Sequence, residues 1–237
     1  MSGQPPTEPV DHTWNWLYKV GGIALFVEGI AYVIILVTGP MLGAAPGNNE
    51  NYLHALASHP GLASFSYGVT AAADFVLIPA ALALYMAFKG VSKTWMLIAA
   101  AILLTYVAID ISTFVSTSTT LVTLTQSYAS TTNATQQAAI LGAEYYGLAT
   151  VPLSQFIGWV FPPFAFLIIA GCVRRGKFGR GVPLLGYFLF LLSVGGGIAF
   201  LDPIPYLQSF QLPALALYAL YMFALGNILV KLGRHRS

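Results

Sequence analysis

Six long apolar stretches, separated by shorter polar or basic segments, dominate the pattern of residues along the chain. A bilayer core about 30 Å thick requires about 20 consecutive apolar residues in a helix, and each stretch meets that length. The pattern therefore predicts an all-α, polytopic membrane protein, a bundle of six transmembrane helices. The predicted spans are 16–38, 62–88, 95–115, 151–172, 182–201 and 209–230.

The spans and their connections leave little of the chain for any other domain. One transmembrane domain, residues 16–231, is predicted between a polar N-terminal segment, 1–15, and a short basic tail, 232–237. The two longest connections, 39–61 and 116–150, are predicted to be outer loops.

The second outer loop is unusual because Ser and Thr make up over half of residues 111–135. Leu121, Leu124 and Tyr128 recur at helical spacing, so the third span is expected to continue as a polar helix beyond the membrane. Such a segment lines a vestibule, presents a partner surface or serves as a soluble linker. Asn133 begins an Asn-Ala-Thr sequence, which is a candidate for glycosylation.

The cations predict how the bundle is oriented. With six spans, every Lys and Arg lies on the same side of the membrane as the two termini, and cations favour the cytoplasmic side. Both the N and the C terminus are therefore predicted to be cytoplasmic, in a multi-pass protein of the plasma (cytoplasmic) membrane. The cations are Lys19, Lys89, Lys93, Arg174, Arg175, Lys177, Arg180, Lys231, Arg234 and Arg236.

Composition adds mainly exclusions. Charged residues make up 8% of the chain and apolar residues 57%, whereas soluble domains are about 25% charged, so a soluble protein is excluded. A nucleic-acid partner is not expected, because the cations are few and form no basic face. The single cysteine, Cys172, excludes an internal disulfide. No cofactor is predicted.

Three carboxylic residues fall within the predicted spans, where no Lys, Arg or His lies at the same depth. A rise of 1.5 Å per residue places Glu28 about 18 Å and Asp74 about 21 Å from the inner ends of their spans. Asp110 is expected nearer the outer rim, in a wetter position. Intramembrane acids mark functional sites by default, but they also hold helices together. A shared proton, a bound cation and hydrogen bonds to hydroxyls or carbonyls are the alternatives.

Prolines interrupt two of these spans. Pro79 in the second span and Pro162-Pro163 in the fourth cannot donate to the carbonyls one turn earlier. Freed carbonyls next to acids and amides bind cations in discontinuous transporter helices, whereas a simple kink is ordinary in membrane helices. The candidate intramembrane polar site comprises Glu28, Asp74, Gln155 and Asp110.

Small residues cluster within the spans, notably Gly21-Gly22 in the first span and Gly195-Gly196-Gly197 in the fifth. Close backbone contact packs helices in lipid, so these glycines indicate helix–helix interfaces. The triplet is also compatible with a hinge or with the close approach of a cofactor.

The first outer loop contains a second, weaker candidate site. Glu50 and His54 are four residues apart and share a face if the loop is helical, and His59 follows. An outer metal site is one interpretation, although the spacing matches no strong metal signature. Solvated loop histidines are the other.

The last third of the chain carries three sequence features of a known type. They are the basic turn from Arg174 to Arg180, the Val182-Pro183-Leu184-Leu185-Gly186 opening of the fifth span, and the Leu229-Val230-Lys231-Leu232-Gly233 ending. In these features, and in the number and length of its spans, the chain resembles a family of uncharacterised six-helix prokaryotic membrane proteins with a domain of unknown function. The resemblance implies a six-helix fold, and it gives no activity or site residue.

The sequence contains no HExxH, GxSxG or GxxxxGKS motif, so an enzyme is not expected, and an enzyme that acts on lipid with carboxylates alone is the weakest of three alternatives. The favoured interpretation is a non-catalytic integral membrane protein. It would serve as an accessory or structural subunit that contacts the lipid bilayer and associates with other membrane subunits or with itself. The alternative is a small solute, cation or proton-linked transporter that uses its intramembrane carboxylates.

Overall fold

The computed structural model describes residues 11–42, 56–148, 151–176, 180–202 and 204–234, and these are almost entirely helical, with no strand among them. A short 3-10 helix, His12–Trp14, precedes the first long helix. The α-helices are α1 (Asn15–Met41), α2 (Pro60–Phe88), α3 (Lys93–Ser130), α4 (Ala134–Leu148), α5 (Val151–Arg175), α6 (Gly181–Leu201), α7 (Pro205–Gln208) and α8 (Gln211–Arg234).

Six helical segments are long and apolar enough to cross a membrane. They are α1, α2, α3, α5, α6 and the segment formed by α7 and α8, so the predicted all-α architecture with six candidate spans is confirmed.

The third helix continues well beyond the predicted end of its span, from Lys93 to Ser130. Its hydroxyl side chains donate to backbone carbonyls of the preceding turn, as Thr119 does to Val115 (2.7 Å). Such bonds satisfy the hydroxyl groups without breaking the helix. Much of segment 116–150 is therefore helical, in the end of α3 and in α4.

The six long helices form a closed ring, in which each packs against its neighbours along the chain and α1 packs against α8. Neighbours run antiparallel. In α1 and α2, for example, Thr38 bonds Ser66 near one end (3.0 Å) and Tyr18 bonds Met86 near the other (3.4 Å). We call the end of the bundle where α1 begins and α8 ends the terminal face, and the opposite end the distal face.

Every Lys and Arg in the described ranges lies toward the terminal face, because each belongs to the first turns of α1, the α2–α3 and α5–α6 connections or the end of α8. Carboxylates are not confined in this way. Asp202, for example, is exposed at the distal end of α6. The two faces therefore differ in charge.

The main apolar core fills the terminal half of the bundle. Its largest fully buried side chains include Tyr18, Leu84, Phe88, Phe166 and Tyr221. Glycines let the backbones approach closely there, as the sequence predicts. A β-carbon on Gly22 of α1 would lie 2.9 Å from the Gly226 carbonyl oxygen of α8. This half of the bundle is densely packed.

Candidate functional site

The distal half of the bundle contains a cavity of about 280 Å³. All six ring helices contribute to its wall, which combines hydroxyl, amide and carboxyl groups with a large aromatic surface. The polar wall consists of Ser66, Thr70, Asp110, Ser154, Gln155 and Ser193, and the aromatic wall consists of Tyr32, Tyr67, Tyr106, Trp159, Phe200 and Tyr218.

Asp110 is the carboxylic residue on the cavity wall, where it is partly exposed. It projects from α3 beside Gly158 of α5. A β-carbon on Gly158 of α5 would lie 3.9 Å from Asp110 Oδ1 and 3.7 Å from the Tyr106 ring. The glycine at this position therefore lets α5 approach Asp110 without covering it.

Asp74 lies on α2, directly behind Asp110, and only 3% of it is exposed. The Tyr106 hydroxyl donates a hydrogen bond to Asp74 Oδ1 (3.1 Å). Asp110 is a close neighbour of Asp74, and the two carboxyl groups can share a hydrogen bond if one of them is protonated. Two ionised carboxylates only accept hydrogen bonds and repel each other, so a proton or a cation between them is favoured.

Glu28 on α1 is completely buried, and neither of its oxygens has a hydrogen-bond partner among the described residues. Asp110 is its principal electrostatic neighbour among the charged groups. Asp74 Oδ2 is likewise buried without a partner. Buried carboxyl oxygens are almost always hydrogen-bonded in folded proteins, so these three atoms are exceptions that need an explanation.

Three tyrosines surround the acids and were not identified from the sequence. Tyr32 and Tyr218 stack with their ring centroids 4.0 Å apart, and Tyr106 bonds Asp74. A usable signal existed, because Tyr32 follows Glu28 by four residues and Tyr106 precedes Asp110 by four. That spacing places each tyrosine on the same helix face as its acid.

Gln155 lies on the cavity wall with Asp110, as do Gly158, Trp159 and Pro163 of α5. Pro162 and Pro163 have no N–H for the carbonyls of Gly158 and Trp159, which places polar backbone at the cavity. Pro79 in α2 is different. It is not on the cavity wall, and its own carbonyl oxygen would lie 3.1 Å from a β-carbon on Gly21.

The structure thus brings Asp110 and Gln155 to one cavity, whereas Asp74 and Glu28 are buried outside its wall. Glu50 and His54 lie outside the described residues. His59 is exposed immediately before α2. No group of three or more His, Cys, Asp or Glu side chains in the described part of the chain could hold a metal ion.

Asn133 has a local role in the fold. Its side-chain oxygen accepts hydrogen bonds from the backbone N–H groups of Thr135 (2.9 Å) and Gln136 (3.3 Å) at the start of α4. This is the geometry of a helix N-cap, and Asn is among the residues that favour it. Asn133 is exposed, so its glycosylation stays a prediction.

Glu144 on α4 is a fourth buried acid, and it lies outside the candidate spans. Neither of its oxygens has a hydrogen-bond partner in the described part of the chain, and the Thr125 hydroxyl of α3 is also buried without one. Burial raises the pKa of Glu144 from its ordinary 4.5 to about 7. The fold therefore favours the protonated form of this side chain.

The packing of α4 is expected to weaken as the pH rises from about 4.5 through about 7. In that window the folded state binds more protons than the unfolded state, so stability falls as the pH rises. Glu144→Gln should remove this dependence. Amide hydrogen exchange of α4, corrected for the intrinsic rate, measures it, and α6 amides in the same sample serve as the control. An equally steep dependence in the variant would contradict the assignment to Glu144.

Comparison of the chain with known proteins leaves the resemblance of its last third to six-helix prokaryotic membrane proteins as a prediction. No protein-family model, no curated protein and no solved structure matches this chain.

Proposed function

We propose that this protein is a proton-linked membrane carrier for a small cation, and that Asp74 and Asp110 hold either the proton or the cation. The observation that carries the proposal is the placement of the pair. Asp110 faces a cavity, and Asp74, which is buried, is its close carboxylic neighbour. A cavity large enough for a solute is thereby joined to a buried acid pair, and intramembrane acids mark functional sites by default.

The unpaired oxygens favour this function over a purely structural role. Acids that only hold helices together are expected to find hydroxyl or carbonyl partners for all their oxygens. Glu28 and Asp74 leave three oxygens without partners in the described part of the chain. The accessory or structural subunit, which the sequence favours, has no comparable support. The exposed apolar side chains of α1 and α6 are what contact with lipid requires.

The arrangement supplies two requirements of a carrier. The cavity extends from Gly39 and Leu42, at the distal end of α1, to Asp110, while the packed terminal half blocks a continuous path. Passage to the terminal face therefore requires the terminal halves of the helices to separate. The Pro162-Pro163 interruption in α5, next to the cavity, is a suitable place for the bundle to bend.

We also propose how the protein is oriented and in which membrane it lies. The concentration of cations at the terminal face supports cytoplasmic N and C termini in a plasma (cytoplasmic) membrane. The distal cavity then faces the outside. We further propose that the protein is not an enzyme, and that its surroundings are lipid together with other membrane subunits or further copies of itself.

Proteoliposomes that contain a trapped pH dye test this function. Gradients of Na⁺, K⁺ or tetramethylammonium are imposed one at a time, and the internal pH is followed. At least one inward gradient is expected to drive protons outward in vesicles with protein and not in empty vesicles. If none of these gradients moves protons, although the reconstituted protein retains its helical content and is monodisperse on extraction, the carrier function is refuted.

A further inference from the structure

The chemistry of the cavity wall specifies more than a charge. Six aromatic side chains line it, together with hydroxyl groups, one amide and the carboxyl group of Asp110. No Lys, Arg or His is among the lining residues. An anion would therefore meet a carboxyl group with no compensating cation, and the wall is unsuited to anionic solutes.

From this wall we infer that the cavity binds a small organic ammonium ion, with its positive charge held between Asp110 and the aromatic rings. The inference rests on the proposed carrier function and names the class of cation. Tyrosine and tryptophan faces attract ammonium groups through the ring quadrupole, most strongly where water is excluded. Tyr32, Tyr106, Trp159 and Tyr218 are four of the rings that line the cavity, and Tyr106 also donates a hydrogen bond to Asp74.

Size argues against a bare metal ion. One water needs about 10–15 Å³ of such space, so a cavity of about 280 Å³ holds many waters and far exceeds a dehydrated ion. Hard cations also require six or more oxygen ligands in a close shell. The described residues offer no group of three acidic or histidine ligands. An ammonium ion with several carbon atoms fills the space and needs only one carboxylate.

A buried hydroxyl group that forms no well-formed hydrogen bond supports the same assignment. Tyr218 lines the cavity and is 5% exposed, and its hydroxyl lies beside the Tyr32 side chain without a well-formed hydrogen bond to any described residue. Phe166 holds the ring edge-on, with centroids 5.4 Å apart, so the ring is fixed from the other side. A ligand in the cavity is a suitable partner for this hydroxyl group.

The charge balance links binding to proton release. With one proton shared between them, Asp74 and Asp110 carry a single negative charge. Either a second proton or one ammonium ion neutralises that charge, so binding of the ammonium ion releases the second proton. The titratable groups around the pair are Glu28 and Tyr32 of α1, Tyr106 of α3 and Tyr218 of α8. None of them is a cation, so only a proton or the ligand neutralises the pair. Affinity for the ammonium ion should therefore rise with pH.

Tryptophan fluorescence offers a direct binding test. Trp159 lines the cavity, whereas Trp14, Trp16 and Trp95 lie near the terminal face. In a background with the latter three changed to Phe, the emission reports the cavity alone. Tetramethylammonium and choline are the probes, and tert-butanol is the neutral control of similar shape. A saturable change is expected with the two ammonium ions and not with the alcohol.

Variants test whether the fluorescence change comes from binding in the cavity. Tyr32→Leu and Tyr218→Phe are expected to lower the affinity for tetramethylammonium, the former about tenfold through loss of a ring face. Tyr206→Leu is the matched control, because Tyr206 is 65% exposed outside the cavity. If neither ammonium ion changes the emission, or if tert-butanol does so equally, the ligand assignment is overturned. Proton flux driven by Na⁺ without ammonium binding would overturn this assignment and leave the carrier function standing. Ammonium binding without any cation-driven proton flux would refute the carrier function and leave the ligand assignment standing.

Discussion

Replacing Asp110 by Asn is expected to lower cation-driven proton flux by about tenfold to a hundredfold, because hydrogen bonds and contacts to a charged group contribute roughly 1.5–3 kcal/mol. The substitution keeps the shape of the side chain and its hydrogen bonding to Asp74, but it removes the charge that faces the cavity. The helices should still assemble, since Asp110 is partly exposed and is not in the main core. Flux in proteoliposomes, normalised to folded protein, measures the effect.

Asp202→Asn is the matched control for this prediction. Asp202 is exposed at the distal end of α6 and is not part of the cavity wall. The Asp202→Asn variant should therefore show the same proton flux as the wild type. Asp74→Asn should behave like Asp110→Asn, because each removes one member of the pair. Wild-type proton flux in both Asp110→Asn and Asp74→Asn would contradict the proposed role of the aspartates.

Replacing Gly21 by Leu is expected to prevent α1 from packing against α2. Even a β-carbon at Gly21 would collide with the Ala83 side chain and lie 3.1 Å from the Pro79 carbonyl oxygen. Neither neighbour is the far end of a flexible side chain, so the helices must separate. Overpacking in a dense interface costs about 1–3 kcal/mol and sometimes more. The expected result is loss of the monodisperse protein, or a clearly lower midpoint of thermal unfolding in detergent.

Gly171→Leu in α5 provides the comparison, because no other atom lies within 4 Å of a β-carbon at that position. This variant should retain the size-exclusion profile and the unfolding midpoint of the wild type. If Gly21→Leu were as stable as Gly171→Leu, the close packing of α1 on α2 described above would be incorrect.

The number of spans could be predicted from the sequence because length and apolarity alone decide it. The depth of the acids along their helices could also be estimated, because the rise per residue is constant. The contact between Asp74 and Asp110 could not be predicted. It depends on how α2 and α3 are rotated about their axes, and these helices are apolar on nearly all sides.

The continuation of α3 to Ser130 could also be predicted, from the helical spacing of Leu121, Leu124 and Tyr128, and hydroxyl groups bonded to their own helix permit it. Two other features could not be predicted in this way. Burial of Glu144 depends on how α4 folds back, which no local pattern records. The tyrosines beside the acids were overlooked, because aromatic residues are common in spans and only their spacing from the acids distinguishes these two.

The most direct test of the central claim is to count the protons released when a cation binds to the purified protein. The measurement is made in weakly buffered solution with tetramethylammonium and, separately, with Na⁺. If the Asp74–Asp110 pair holds either a proton or a cation, the wild-type protein releases protons until cation binding is saturated. This release is lost in Asp110→Asn and retained in Asp202→Asn. Cation binding without proton release, or an equal release from Asp110→Asn, would contradict the claim.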